Sequence, residues 1–176
     1  MLMPIDFVMD TLDAIQLLHT RGRYPQLLVL LYAGIDTLGW LGTTGDWATG
    51  ESFKKWVDCY MLPDSPLTCT SEDLWAARNG LLHTATAKSK LTTYGKARQI
   101  WYYGKEPSEK FLSSKIAGRT DIVAVRTVDL IEAFGNGAFR FTKALEKDPQ
   151  LAARVKQRAV LWLRWVPPLS PDEPAA

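Results

Sequence analysis

Arg78, Asn79 and His83 fall within six consecutive residues, and their types suit acid–base chemistry beside an anion. An imidazole, with an ordinary pKa of about 6.5, takes up or releases a proton near neutral pH. A guanidinium stays charged and holds a carboxylate or phosphate with two parallel hydrogen bonds. A carboxamide four residues before the imidazole lies on the same helix face and can hold it in one tautomer. Arg78 is also out of place. With residues set about 100° apart, Leu74, Trp75, Ala77, Leu81 and Leu82 form one apolar arc. Arg78 falls inside that arc, and Asn79 and His83 fall along its edge. A guanidinium in an apolar stripe is costly unless it is paired. Arg78 and His83, five residues apart, converge only in three ways: the Arg side chain bends round, the helix loosens at Gly80, or a second copy of the helix faces the first.

The element that must position these groups is a helix predicted over 71–83. Thr70 suits the N-cap, and Glu72 and Asp73 stand in the first turn, where the helix dipole favours carboxylates. A counter-charge for Arg78 is available in Asp36. It is the one charge in a helix expected from Pro25 to about Leu41, which is apolar nearly all round and therefore belongs at the centre of a bundle. Asp36 could equally cap a local backbone group or sit at a polar rim. His83 could equally be a C-terminal helix residue favoured by the dipole.

Charge is unevenly spread. The chain of 176 residues carries a net charge of +2. From Thr84 to Arg119 it holds Lys88, Lys90, Lys96, Arg98, Lys105, Lys110, Lys115 and Arg119 against Glu106 and Glu109, so this segment alone is +6. A basic segment directly after the Arg–His helix suits a polyanionic partner. The same lysines also fit a solvated loop and blunted sheet edges.

The rest of the chain reads as a single mainly α domain over 1–166. Ile5, Val8, Leu12, Ile15 and Leu18 predict a first helix over 5–19, closed by Gly22. Pro25 suits the first turn of the second helix. A loop over 42–50 precedes a third helix, about Ser52–Met61. After the motif helix comes a polar stretch, 84–96. A strand at Ile100–Tyr103 follows, with Ile122–Val125 as its expected antiparallel partner across an irregular excursion. Ile131, Phe134, Ala138, Phe141 and Leu145 mark a long helix from Thr127, in which Gly135 and Gly137 either weaken the helix or allow close contact. Asp148-Pro149 opens a last helix through about Trp165. Residues 167–176 are expected to be a disordered tail. The expected architecture is a bundle of about five to six helices with a small β-hairpin insertion after the motif helix.

Several chemistries find no support. There is no Walker loop or dinucleotide fingerprint, and no Gly-x-Ser-x-Gly elbow. His19, His83, Cys59 and Cys69 lack the spacing of a metal site, so no metal or other cofactor is expected. Without a signal peptide, the cysteines are expected to be reduced and the protein cytoplasmic. The longest apolar run, Leu27–Ile35, is far short of the roughly 20 residues a membrane span requires.

Arg78-Asn79-Gly80-Leu81-Leu82-His83 resembles the Arg-polar-x-x-x-His motif of the HEPN superfamily (higher eukaryotes and prokaryotes nucleotide-binding domain). It is close to the Arg-x-Gly-Leu-x-His variant of small bacterial members. The apolar helix with one Asp, followed by a helix with Phe53 and Trp56 and then the motif helix, is similar too. The resemblance implies a metal-independent endoribonuclease whose two motif helices face each other across a homodimer. His83 would act as general base or acid, Arg78 as phosphate clamp and Asn79 as orienter, with Asp36 in support. Lys88, Lys90, Lys96 and Arg98 would bind the RNA, and the products would be a 2′,3′-cyclic phosphate and a 5′-hydroxyl. The family's setting further implies a defence or toxin–antitoxin role, with an antitoxin or regulatory protein as a possible partner.

Overall fold

Element boundaries follow local chemistry. In the computed structural model, which describes residues 4–104 and 108–161, α1 (Pro4–Thr20) ends where Gly22 turns left-handed, with φ of +66°. The Arg23 N–H closes that turn on the Leu18 carbonyl at 2.8 Å. α2 (Tyr24–Gly42) begins with proline in its first turn. α3 (Gly50–Trp56) starts earlier than Ser52, because Thr49 is the N-cap and Ser52 completes a capping box with it. α3 runs on into a π-helical stretch, Val57–Met61. α4 (Ser71–Thr84) carries the Arg–His motif, and its own capping box joins Thr70 to Asp73. The chain continues through α5 (Lys90–Thr93), β1 (Gln99–Tyr103), α6 (Ser108–Ile116), β2 (Ile122–Arg126), α7 (Thr127–Lys147) and α8 (Pro149–Ala159).

The fold is mainly helical, and α2 is its hub, touching α1, α3, α4, α7 and α8. Leu27, Leu31, Tyr32, Ile35 and Leu38 of α2 are fully buried, together with Phe53, Phe134 and Phe141. Each such side chain contributes roughly 1.5–3 kcal/mol of apolar burial. The Tyr32 and Tyr102 hydroxyls meet at 2.5 Å and tie the hub to β1. None of the described helices is long and apolar enough to cross a membrane.

The sheet corrects the sequence expectation. β1 and β2 are parallel, with Gln99 opposite Ile122 and Tyr103 opposite Arg126, so there is no hairpin. A parallel pair needs a crossover connection. α6 supplies it, packing on both strands where an irregular excursion was expected. α6 escapes a search for apolar periodicity because Leu112 is buried while Phe111 is exposed between charged and polar neighbours. β2 then feeds straight into α7, and the Thr127 hydroxyl donates to the Tyr103 carbonyl at 3.1 Å. The described residues hold eight helices, more than the five to six expected, α5 and α6 being the additions. Trp162, Trp165 and the tail 167–176 lie outside the described residues.

The two glycines of α7 differ. A Cβ at Gly137 would stand 2.9 Å from the Met61 Cα and 3.1 Å from the Tyr60 carbonyl oxygen. That carbonyl lies in the π-helical stretch and accepts from Arg140 Nη1 at 2.8 Å. At Gly135 the nearest atom would be a Leu12 methyl at 3.7 Å, an ordinary contact. Gly137→Ala is therefore expected to destabilise by about 1–3 kcal/mol. Gly135→Ala should be neutral or stabilising by up to about 1 kcal/mol. Urea unfolding of the two variants checks the contrast.

Candidate active site

α4 leaves its capping box pointing Arg78 at α2. Arg78 Nε donates to Asp36 Oδ2 at 2.8 Å, and Nη2 lies 2.7 Å from the same oxygen. Both side chains are about one-fifth exposed, so the pair sits at the rim of the core. Burial raises the Asp36 carboxyl above its ordinary pKa, against the opposing pull of Arg78. The guanidinium also lies over the Trp75 ring, 5.0 Å from its centroid. Trp75 is held in turn by Phe53, at a centroid separation of 5.3 Å, and by Gly50, where a Cβ would fall 2.7 Å from the indole. Asp36 and Trp75 thus hold the guanidinium, and α3 holds Trp75.

Asn79 turns to the arginine. Its Oδ1 accepts from Arg78 Nη1 at 3.1 Å, and no hydrogen bond joins it to His83 among the described residues. His83 is exposed, and with Asn79 it lines an open groove of about 550 Å³. Lys88, Ser89, Lys90 and Thr93 line the same groove. Asn79 is the link between the two halves of the motif, touching Arg78 and sharing the groove with His83.

Gly80 explains how the lysines reach the histidine. The helix does not loosen there; α4 continues regularly to Thr84. Ala85 then turns left-handed, with φ of 52°, and the chain folds back against the last turn. The Thr86 N–H and the Thr84 hydroxyl both donate to the Gly80 carbonyl, at 3.2 and 2.8 Å. A Cβ at Gly80 would stand 2.6 Å from the Thr86 carbonyl oxygen and 2.8 Å from that of Lys88. Ser89 next caps α5, which carries Lys90. Gly80→Ala should displace this returning loop. The expected result is a loss of about 1–3 kcal/mol from the clash, partly offset by helix propensity. Lys88 and Lys90, which that loop and α5 carry, should move away from His83 with it. Thermal melts check the loss of stability.

Compared with family models, with curated proteins and with solved structures, the chain matches none. The chemistry of the site therefore rests on its own side chains. Among the described residues no group of three or more His, Cys, Asp or Glu could hold a metal ion.

The other basic candidates separate. Lys96 is exposed but does not line the groove. Arg98 is engaged elsewhere: its Nε and Nη2 donate to Asp73 Oδ2 at 3.0 and 2.7 Å, and Nη2 also reaches the Thr68 carbonyl at 2.9 Å. The sequence reading missed Trp75 as the seat of the guanidinium and Gly80 as the seat of the loop. A signal existed for each: an aromatic three residues before Arg78 on the same helix, and a glycine inside a helix that must be there for a reason.

Proposed function

We propose that this chain is a HEPN-type, metal-independent endoribonuclease that works as a homodimer. The observation that carries this reading is the shared groove, lined by an exposed imidazole and two lysines, with Asn79 of the same lining hydrogen-bonded to the guanidinium. RNA brings its own nucleophile, so the protein needs only proton transfer and charge stabilisation. His83 would accept the 2′-hydroxyl proton as the 2′-oxygen attacks phosphorus, or deliver a proton to the departing 5′-oxygen. The guanidinium N–H groups of Arg78 not turned to Asp36 or Asn79 would bind the phosphate oxygens, and Lys88 and Lys90 the flanking phosphates. Two facing copies of α4 would make the cleft composite, each lending one Arg–His set. The family's setting adds a defence or toxin-type role restrained by a neutralising protein.

The test is cleavage of a labelled single-stranded RNA in EDTA, with the ends of the products identified. Fragments ending in 2′,3′-cyclic phosphate and beginning with 5′-hydroxyl are expected, from a protein that light scattering finds dimeric at micromolar concentration. Metal-dependent cutting, or products with 5′-phosphate, would end the reading. A second reading, an RNA- or nucleotide-binding module that does not cut, is favoured by one feature. Arg78 is already held by Asp36 and Trp75, which suits a structural guanidinium. Binding without any cleavage in the same assay would select it.

A further inference from the structure

Asp36 and Trp40 stand one turn apart on the same face of α2, about 6 Å along its axis. Asp36 holds Arg78, and Asn79, which accepts from that guanidinium, lines the histidine groove. Trp40 seats the end of α8: Arg158 donates to its carbonyl and to that of Thr43, and the guanidinium lies 5.3 Å from the centre of its ring. The described chain leaves three residues later, at Leu161, which is 71% exposed. The exit of the chain and the groove are thus tied to neighbouring turns of one helix. The groove itself is basic. Lys88 and Lys90 line it with His83, and no carboxylate does. Neither lysine has an ion pair among the described residues.

Fifteen residues of the sequence follow Leu161, and the last ten, 167–176, carry Asp172 and Glu173 with no basic residue. Pro167, Pro168, Pro171 and Pro174 fall in the same ten. Proline favours extended backbone at about 3.1 Å per residue, so fifteen residues can reach roughly 45 Å. That is several times the spacing of neighbouring helix turns. We propose that this acidic segment occupies the histidine groove of its own chain, its carboxylates paired with Lys88 and Lys90, and that a polyanion enters only by displacing it. Exposed ion pairs of this kind are individually weak. The tether offsets that, because a segment on a short linker is present at about millimolar local concentration. Such a contact holds off weakly bound anions and yields to an RNA that pairs with more charges. Its regulatory sense rests on the ribonuclease reading; the occupancy itself does not.

The test compares the wild type with the double variant Asp172→Asn, Glu173→Gln, both as the whole chain. The imidazole NMR resonances of His83, assigned with His83→Ala, should differ between the two proteins at low salt. They should converge at about 0.5 M NaCl, where charges are screened beyond a few ångströms. Those of His19 should coincide throughout. A 2′-deoxy oligonucleotide lacks the attacking hydroxyl and is not cut. It should bind the variant at least about threefold more tightly at low salt, the effect of two exposed ion pairs, and equally at high salt. Identical His83 resonances in the two proteins overturn the proposal, as does equal, measurable oligonucleotide affinity at low salt. A His83 difference that vanishes on dilution would put a second copy's segment in the groove and overturn it too. If neither protein binds the oligonucleotide, polyanion entry and the ribonuclease reading fail together, and the His83 resonances alone decide the occupancy.

Discussion

His83→Ala is expected to cut RNA about 10²–10⁴-fold more slowly than the wild type, the usual contribution of a positioned acid or base. Its melting temperature should stay within about 2 °C of the wild type, because substitutions at exposed positions change stability by only about 0.5 kcal/mol. The separation of the two readouts comes from the burial pattern. His83 is exposed and faces the groove, so removing its ring uncovers no core. RNA binding should survive, since Lys88 and Lys90 remain in place. Arg78→Ala should behave differently. It would leave the half-buried Asp36 carboxylate without its partner, so stability and cleavage should fall together. Cleavage by His83→Ala at the wild-type rate would remove the imidazole from the mechanism, whatever Arg78→Ala did.

What the sequence made legible follows from how local each signal is. Thr70 as N-cap, with Glu72 and Asp73 in the first turn, announces the start of α4 by rules that need no tertiary context. Asp36 and Arg78 stand out because each is a lone charge among apolar neighbours, and such charges must find one another. Strand direction is a different matter. The β-branched and aromatic runs at β1 and β2 look the same in parallel and antiparallel pairs, and the deciding element, α6, has too thin an apolar face to be seen. The partners of the site residues were hidden for a related reason. Asn79 lies within reach of both Arg78 and His83, and the choice between them depends on where Trp75 and Asp36 hold the guanidinium. Arg98 was counted with the basic segment because nothing local reveals that Asp73, legible only as a first-turn carboxylate, reaches across to it.

Asp73→Asn is expected to cost about 2–4 kcal/mol, the upper part of that range being typical of breaking a buried charge pair. The melting temperature should then fall by roughly 5–15 °C for a chain of this size. Asp73 is only 3% exposed and joins the start of α4 to the segment before β1. Its Oδ2 accepts from the Thr70 N–H at 2.9 Å, closing the cap of α4. Its Oδ1 accepts from the Arg98 N–H at 2.7 Å, fixing the chain just before β1, and the Arg98 side chain completes the set. Burial works against the charged form, but the hydrogen bonds from Arg98 and Thr70 together outweigh it and hold the carboxyl below its ordinary pKa. A carboxyl of this kind contributes stability above its unfolded pKa and loses it as pH falls through the folded one. Asp36, whose carboxyl is raised by burial, works in the opposite sense: it favours the folded state when protonated, and that contribution is lost as pH rises. The acid side of the stability profile should therefore fall less steeply in Asp73→Asn than in the wild type. Arg98→Ala gives the complementary result. Arg98 is about one-third exposed, whereas the carboxylate it leaves behind stays buried with only its backbone donors. The carboxyl should then titrate higher, and acid unfolding should begin at a higher pH than in the wild type. Denaturant midpoints between pH 2 and 7 for the three proteins decide it; parallel profiles would mean that Asp73 is not the group whose protonation opens the joint between α4 and β1.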